Sequence, residues 1–499
     1  MIGAAGADTL RALVDRSFLR LEASSGRYAL HEVLRAFAAE ELARDPAAAT
    51  AARARHAGFF ASFVARHAPA LVDRAEREAR DAIAAELENV RSAWRHLASA
   101  GDPAALALVL PPLAATHLAW GSWAEGEALA ADAESAGVGA LAQSWRAAFR
   151  LRLGRLDEAE QDVDTVLAAG DGAQKAEALL HAGHAALLRG RFQEALDTLG
   201  RCVATARESG PARLLAEALG RLGRAVLDAG RHEEARPLFE ESLRTAQALG
   251  SRSAVVFATN QLGLVDYFAG DLDEAQRRFN DALGLARAEG SRPAVAAALQ
   301  GLGFVAEDRG ALDDAASLYV ESLAACRETG DRYGAARALM LLGEVERKRG
   351  ATARARGLYE EALALARSVG SAYLCGLLEG NLAYLAAAAG RRREALERAR
   401  AALEAWRLTG SDTVGLPALV ALAEVALAAG DDGRALALLG HVLAHPGLRQ
   451  DHRVEVERVL GRLRRENPSL DPGAGLAKGR ARRLEELALE ALAALAAFP

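Results

Sequence analysis

The sequence predicts an all-α protein: a right-handed α-solenoid of about 40-residue helix–turn–helix repeats, behind a small N-terminal segment with one β-hairpin. Three observations predict it. Gly190, Gly230, Gly270, Gly310, Gly350, Gly390 and Gly430 follow at a constant step of 40 residues, each with an alanine five residues on, from Ala195 to Ala435. A second glycine series, Gly210, Gly250, Gly290, Gly330, Gly370 and Gly410, is offset by half a period. Ala, Leu, Arg and Glu dominate, whereas aromatics make up only 5 % and Val and Ile are sparse. A fixed period of this size marks stacked supersecondary units. The composition favours helix and disfavours sheet.

Four segments follow in order. Residues 1–45 read as a short helix over Thr9–Arg16, a hairpin and a helix over Glu32–Ala43. The hairpin is signalled by alternation on both sides of the turn Ser24-Ser25-Gly26. Together they look like the second half of a winged-helix module. Residues 46–136 read as a helical linker. Phe59, Phe60, Phe63 and Val64 recur at helical spacing within 51–67, and Ile83, Leu87, Val90, Trp94 and Leu97 do so along one helix over 74–100. Asp102-Pro103 is a cap and first-turn pair. Residues 137–445 carry the repeats, and 446–499 the capping helices that close the stack, with a loop expected over Pro468–Gly479.

Within each repeat, Leu222-Gly223, Leu262-Gly263, Leu302-Gly303 and Leu342-Gly343 precede the turn glycine by eight and seven residues. Phe239, Phe279, Tyr319 and Tyr359 follow it by nine. Leu-Gly, turn, Ala, aromatic is the tetratricopeptide pattern. The turn glycine is expected at φ > 0, ending the first helix. Small residues are expected where the two backbones approach, with the aromatic filling the gap between neighbours. The pattern fades after Gly370, where the aromatic gives way to Ala399 and Leu439 and the glycine to Ala383 and Ala423.

Bulk properties narrow the function. A net charge of −6 argues against a nucleic-acid coat. Cys202, Cys326 and Cys375 are too few and too dispersed for a disulfide framework or a zinc site. No apolar leader is seen, and the apolar stretch 104–120 reads as a buried helix. A cytoplasmic, soluble chain without a membrane partner is expected.

Residues 10–95 also resemble a known family. Leu13-Val14-Asp15-Arg16-Ser17, Tyr28, His31-Glu32, Phe37-Ala38 and Glu40-Glu41-Leu42 look like the winged-helix segment of STAND-class signal-transduction ATPases. His56, Phe59-Phe60, Glu86-Leu87-Glu88-Asn89-Val90-Arg91-Ser92-Ala93 and Trp94 are similar to the linker of the same proteins. The 40-residue repeat resembles the long repeats in the tails of maltose-regulator-type activators. The resemblance implies a transcriptional or signalling regulator, with nucleic acid engaged only indirectly through a separate output domain. Family members carry a P-loop, and this chain has no G-x-x-x-x-G-K-[ST]. The chain is therefore expected to be the C-terminal part of such a regulator without its ATPase, non-catalytic and without a cofactor.

The concave face of a solenoid is its natural binding surface. Counting from the glycine series places Asn260, Leu264, Tyr267, Phe268, Phe304, Arg337, Glu344, Lys348, Asn381 and Tyr384 there. Amides of this kind can clamp a peptide backbone, and aromatics offer apolar pockets. A protein or peptide partner, or a small inducer, is the expected occupant. The alternative is a stand-alone adaptor gathering partners in the same groove. The pairs His181/His184 and His441/His445 lack a third metal ligand, so no metal site is expected.

Overall fold

The computed structural model describes residues 7–22, 27–72, 75–445, 450–467 and 472–497. The chain forms two compact units, Met1–Thr116 with Ala128–Ala142, and His117–Glu127 with Gln143–Pro499.

In the first unit α1 (Ala7–Asp15) leads into the antiparallel hairpin of β1 (Leu19–Glu22) and β2 (Arg27–Leu30), which pairs Leu19 with Leu30 and Leu21 with Tyr28. The expected turn residues Ser24-Ser25-Gly26 lie outside the described residues. α2 (Glu32–Ala43) follows. Asp45 accepts from the Ala48 amide at 3.0 Å and starts α3 (Pro46–His67). Two helices, α4 (Glu76–Ala85) and α5 (Leu87–Ala100), replace the single one expected over 74–100. Glu86 breaks it at φ −109° and ψ 12°, and its carboxylate accepts from Asn89 Nδ2 at 2.7 Å. Ile83 before the break and Val90, Trp94 and Leu97 after it are all buried. Asp102 caps α6 (Pro103–Trp120), accepting from the Ala105 amide at 3.0 Å. By length and composition α6 could cross a membrane, at a mean hydropathy of 1.4, but its Leu106, Val109, Leu110 and Leu113 are buried. α7 (Trp123–Ser135) follows.

The second unit is a coil of antiparallel helix pairs. α8 (Ala140–Leu153) pairs with α9 (Leu156–Ala169), α10 (Gly172–Arg189) with α11 (Phe192–Ser209), and α12 (Ala212–Asp228) with α13 (His232–Leu249). Then come α14 (Arg252–Phe268) with α15 (Leu272–Ala288), and α16 (Arg292–Asp308) with α17 (Leu312–Thr329). α18 (Arg332–Lys348) with α19 (Thr352–Ser368), α20 (Ala372–Ala388) with α21 (Arg392–Thr409), and α22 (Asp412–Ala428) with α23 (Asp432–Ala444) complete the array. The seven 40-step glycines have φ between 72° and 84°, the left-handed region that a Cβ disfavours, and there the first helix of each pair stops. In the offset series Gly210 departs from this, with φ −84° and ψ 160°. Pro211 follows it and forces extended backbone.

The small residues sit under the aromatics. A Cβ added to Gly263 would lie 2.8 Å from Phe279 Cε1, and one on Gly223 would lie 2.7 Å from Phe239 Cε1. Gly303 and Gly343 face Tyr319 and Tyr359 in the same way. Phe279 also meets Gly301 of the next repeat, so this ring is clamped between its own pair and its neighbour.

The second unit then turns back on itself. A Cβ on Gly190 would lie 2.8 Å from Tyr373 Cβ and 2.9 Å from Thr409 Cγ2. Phe192 meets the Tyr373 ring edge-on at 5.3 Å. Gly154 likewise packs on Val369, and Gly121 on Thr329. Turns that open the array thus sit against turns far along it.

Three more helices close the end: α24 (Gln450–Glu466), α25 (Pro472–Arg480) and α26 (Leu484–Ala497). The loop expected over 468–479 is corrected here, because 472–480 is helical. Gly475 lies against Leu436 and Gly479 against the Ala437 carbonyl, so a helix of small residues fits tightly on α23. Residues 468–471 lie outside the described residues.

Candidate functional site

The first helix of each pair supplies the interior. All ten predicted groove residues lie on first helices, α14, α16, α18 and α20, and they divide into three groups by what surrounds them.

The first group is apolar. Leu264, Tyr267 and Phe304 are buried, and the Tyr267 and Phe304 rings stack at 5.5 Å with 28° between planes. Asn260 is buried beside them on α14, its Oδ1 without a partner. Phe268 stands apart. It is 40 % exposed and stacks on His232 at 4.3 Å, nearly parallel at 9°.

The second group is a polar lattice around buried Glu344. This carboxylate accepts from the Tyr359 hydroxyl at 2.8 Å and from Asn381 Nδ2 at 2.6 Å, and pairs with Arg347 at 2.8 Å. Burial and the adjacent Glu344 push the Tyr359 phenol well above its usual range, which keeps it a donor. Lys348 pairs with Glu307 at 2.7 Å. α24 lies over this lattice. Glu455 pairs with Arg347, and Arg458 donates to the Tyr384 hydroxyl at 2.8 Å. Arg458 and Arg462 both hold buried Glu424, at 2.6 and 2.7 Å. This half of the predicted groove is therefore covered by the chain's own C-terminal helix.

The third group holds only Arg337 of the predicted residues, and it lines an open cavity of about 160 Å³. Arg152, Arg221, Arg224, His184, Gln261 and Phe257 come from the opening pairs, and Asp331, Tyr333 and Arg337 from the start of α18. Four guanidiniums face two carboxylates. Arg224 is matched to Asp228 at 2.7 Å. Asp331 caps α18, accepting from the Gly334 amide at 2.8 Å. Among the described residues, Arg152, Arg221 and Arg337 have no hydrogen bond or ion pair. Burial, and then the charge of Arg152, pull the Arg221 guanidinium down to about 9. Burial pushes the Tyr333 phenol up to about 12 and raises the Asp331 carboxyl. It also holds His184 well below its usual range, with Arg221 and Arg152 adding to the effect.

Sequence reasoning missed most of this cavity because the groove residues it named begin at Asn260, beyond the first three pairs. The signal was present. His184 and Arg224 stand six residues before Gly190 and Gly230, the position that Leu264, Phe304, Glu344 and Tyr384 occupy later. Arg221 and Gln261 stand nine before their glycines, as Asn381 does, and Arg152 stands two before Gly154, as Phe268 and Lys348 do before theirs.

Burial pushes the Cys202 and Cys326 thiols up to about 12 and Cys375 up to about 11, so none is a ready thiolate. His441 contacts the Arg482 carbonyl at 3.0 Å, and His445 lies 3.5 Å from Asp412.

The tetratricopeptide repeat family model matches residues 214–288 and 294–368. This region is a tetratricopeptide repeat domain. Such repeats are protein-interaction scaffolds. Among solved structures, a Rap protein complexed with competence and sporulation factor is similar at 14 % identity, covering 75 % of this chain and 99 % of that one, with a TM-score of 0.50. That likeness shows the fold alone. The Cut9–Hcn1 hetero-tetramer of the APC/C is similar at 14 % identity over 67 % of this chain and 60 % of that one, with a TM-score of 0.46. A Pyrococcus horikoshii signal transduction ATPase with numerous domains, bearing a tetratricopeptide repeat sensor, is similar at 14 % identity. It covers 93 % of this chain and 60 % of that one, with a TM-score of 0.40. No curated protein matches the sequence.

Proposed function

We propose that the chain is the partner-binding and ligand-sensing tail of a STAND-type regulator. The coil takes a protein, a peptide or a small inducer on its inner face. Residues 1–136 pass the occupancy on to an ATPase and an output domain. The observation that carries the sensing part is the open cavity, in which Arg152, Arg221 and Arg337 line the space without a direct ion-pair partner. The regulator part is supported by the family-like residues 10–95 and by the helix–hairpin–helix order of α1, β1, β2 and α2. Phe18, Leu21, Val33 and Phe37 are exposed there, an apolar surface of the kind a docking module presents to another domain.

Two tests apply. A reading frame that continues upstream of this sequence into G-x-x-x-x-G-K-[ST] supports the regulator, and a stop codon immediately ahead of Met1 removes it. For binding, capture by the purified chain is compared with capture by Phe268→Ala, the exposed member of the aromatic group. A partner lost from the variant places contact at the inner rim, and an unchanged set of partners excludes that rim.

A further inference from the structure

We propose that the arginine-lined cavity is a binding site for a small dianion, a phosphate monoester or a dicarboxylate, held by Arg152, Arg221 and Arg337. This deepens the ligand-sensing half of the reading above and rests on it only for its purpose. Three observations carry it.

The first is charge without a partner. Asp228 is engaged by Arg224, and Glu217, ion-paired to Arg213, acts on Arg152 and Arg221 only through space, which leaves three guanidiniums without a direct partner and one helix-capping carboxylate, Asp331, around the same space. Unpaired buried charge is costly, and elsewhere in this unit buried charges are paired, as Glu424 is with Arg458 and Arg462. Guanidiniums present planar, forked donors that match phosphate and carboxylate oxygens.

The second is Gln261. It is 5 % exposed and lines the cavity, and its Oε1 is buried without a partner. Its Nε2 donates to no protein acceptor among the described residues. Nε2 is therefore the atom left to donate to a bound anion, while Oε1, itself an acceptor, is not served by one.

The third is size and origin. About 160 Å³ is the volume of about five waters, enough for a small anion and too little for a peptide segment. The lining comes from α8, α10, α12 and α14 on one side and from the start of α18 on the other. An anion bridging Arg152 or Arg221 to Arg337 would therefore tie the opening pairs to the later turn, and its occupancy would report whether the coil is closed.

The test is thermal unfolding and calorimetric titration of the full chain with inorganic phosphate and with succinate, against sodium chloride at matched ionic strength. A saturable rise in melting temperature is expected with at least one of the two dianions, and the stronger one identifies the headgroup. Arg221→Ala is expected to melt higher than the parent without anion, because it relieves repulsion from Arg152, and to lose at least tenfold in affinity. Arg221→Lys keeps the charge but loses the fork, and is expected to bind at an intermediate level. Shifts equal to those of chloride, or shifts that persist unchanged in Arg152→Ala and Arg221→Ala, overturn the proposal. Partner capture is read separately, so failure here leaves the Phe268 test standing, and failure there leaves this one.

Discussion

His181 and His184 look alike in the sequence, two histidines one turn apart, and nothing in their spacing gives their charge. The structure does. Burial lowers His181 to about 4, with Arg221, Arg213 and Arg152 adding and Glu217 opposing, and His184 moves the same way. Both are therefore neutral in the folded chain at neutral pH. The unfolded chain protonates them near 6.5, so it binds more protons than the native state below that pH, for His181 down to about 4. Their contribution to stability is complete above that window and is lost as the pH falls through it. The urea midpoint is expected to drop from pH 7 to pH 5, and to drop less in His181→Gln. An equal drop in the variant would assign the acid sensitivity to carboxylates instead. The burial that dominates these values comes from packing against other helices, as do the arginine charges that add to it, which is why they were not legible from the histidines' own segment.

Between a residue and a fold stands the helix pair, and here the periodic glycines were legible while their roles were not. Gly263 and Gly284 are both helical glycines of one repeat. The first lies beneath Phe279, and the second has open space around it. Gly263→Ala forces an overpacked contact and is expected to cost about 1–3 kcal/mol. Gly284→Ala meets nothing and removes backbone entropy from the unfolded chain, so it is expected to stabilise by about 0.5–1 kcal/mol. Chemical denaturation of both variants measures the contrast. Equal effects would mean that the ring does not fix the spacing of the pair. The period predicted the pairs, the turn φ values and the buried aromatics correctly, because each is a local consequence of a repeated steric pattern. It did not foresee the break at Glu86, where the backbone leaves the helical region at φ −109° and ψ 12°, or the helix at 472–480, which packs closely on α23.

How the pairs add up within the second unit was the least legible level. A repeat length states that units stack, but not where the stack meets itself. That depends on small rotations summed over many pairs. The contacts that resolve it are few: Gly190 and Phe192 on Tyr373, Gly154 on Val369, and Gly121 on Thr329. They also explain why Arg337 joins Arg152 and Arg221, residues the linear pattern places in separate repeats. Tyr373→Asp puts a charge into this seam, where desolvation penalises it. It is expected to speed amide exchange in two segments distant in sequence, 172–189 and 372–388, while helix content by circular dichroism stays constant. Faster exchange confined to 372–388 would mean that the coil is not closed at this point. Phosphate or succinate should slow exchange in the parent around α8, α12 and the start of α18 together, because one ligand spans all three. In Tyr373→Asp the same anion should protect less, since opening the seam removes Arg337 from its partners.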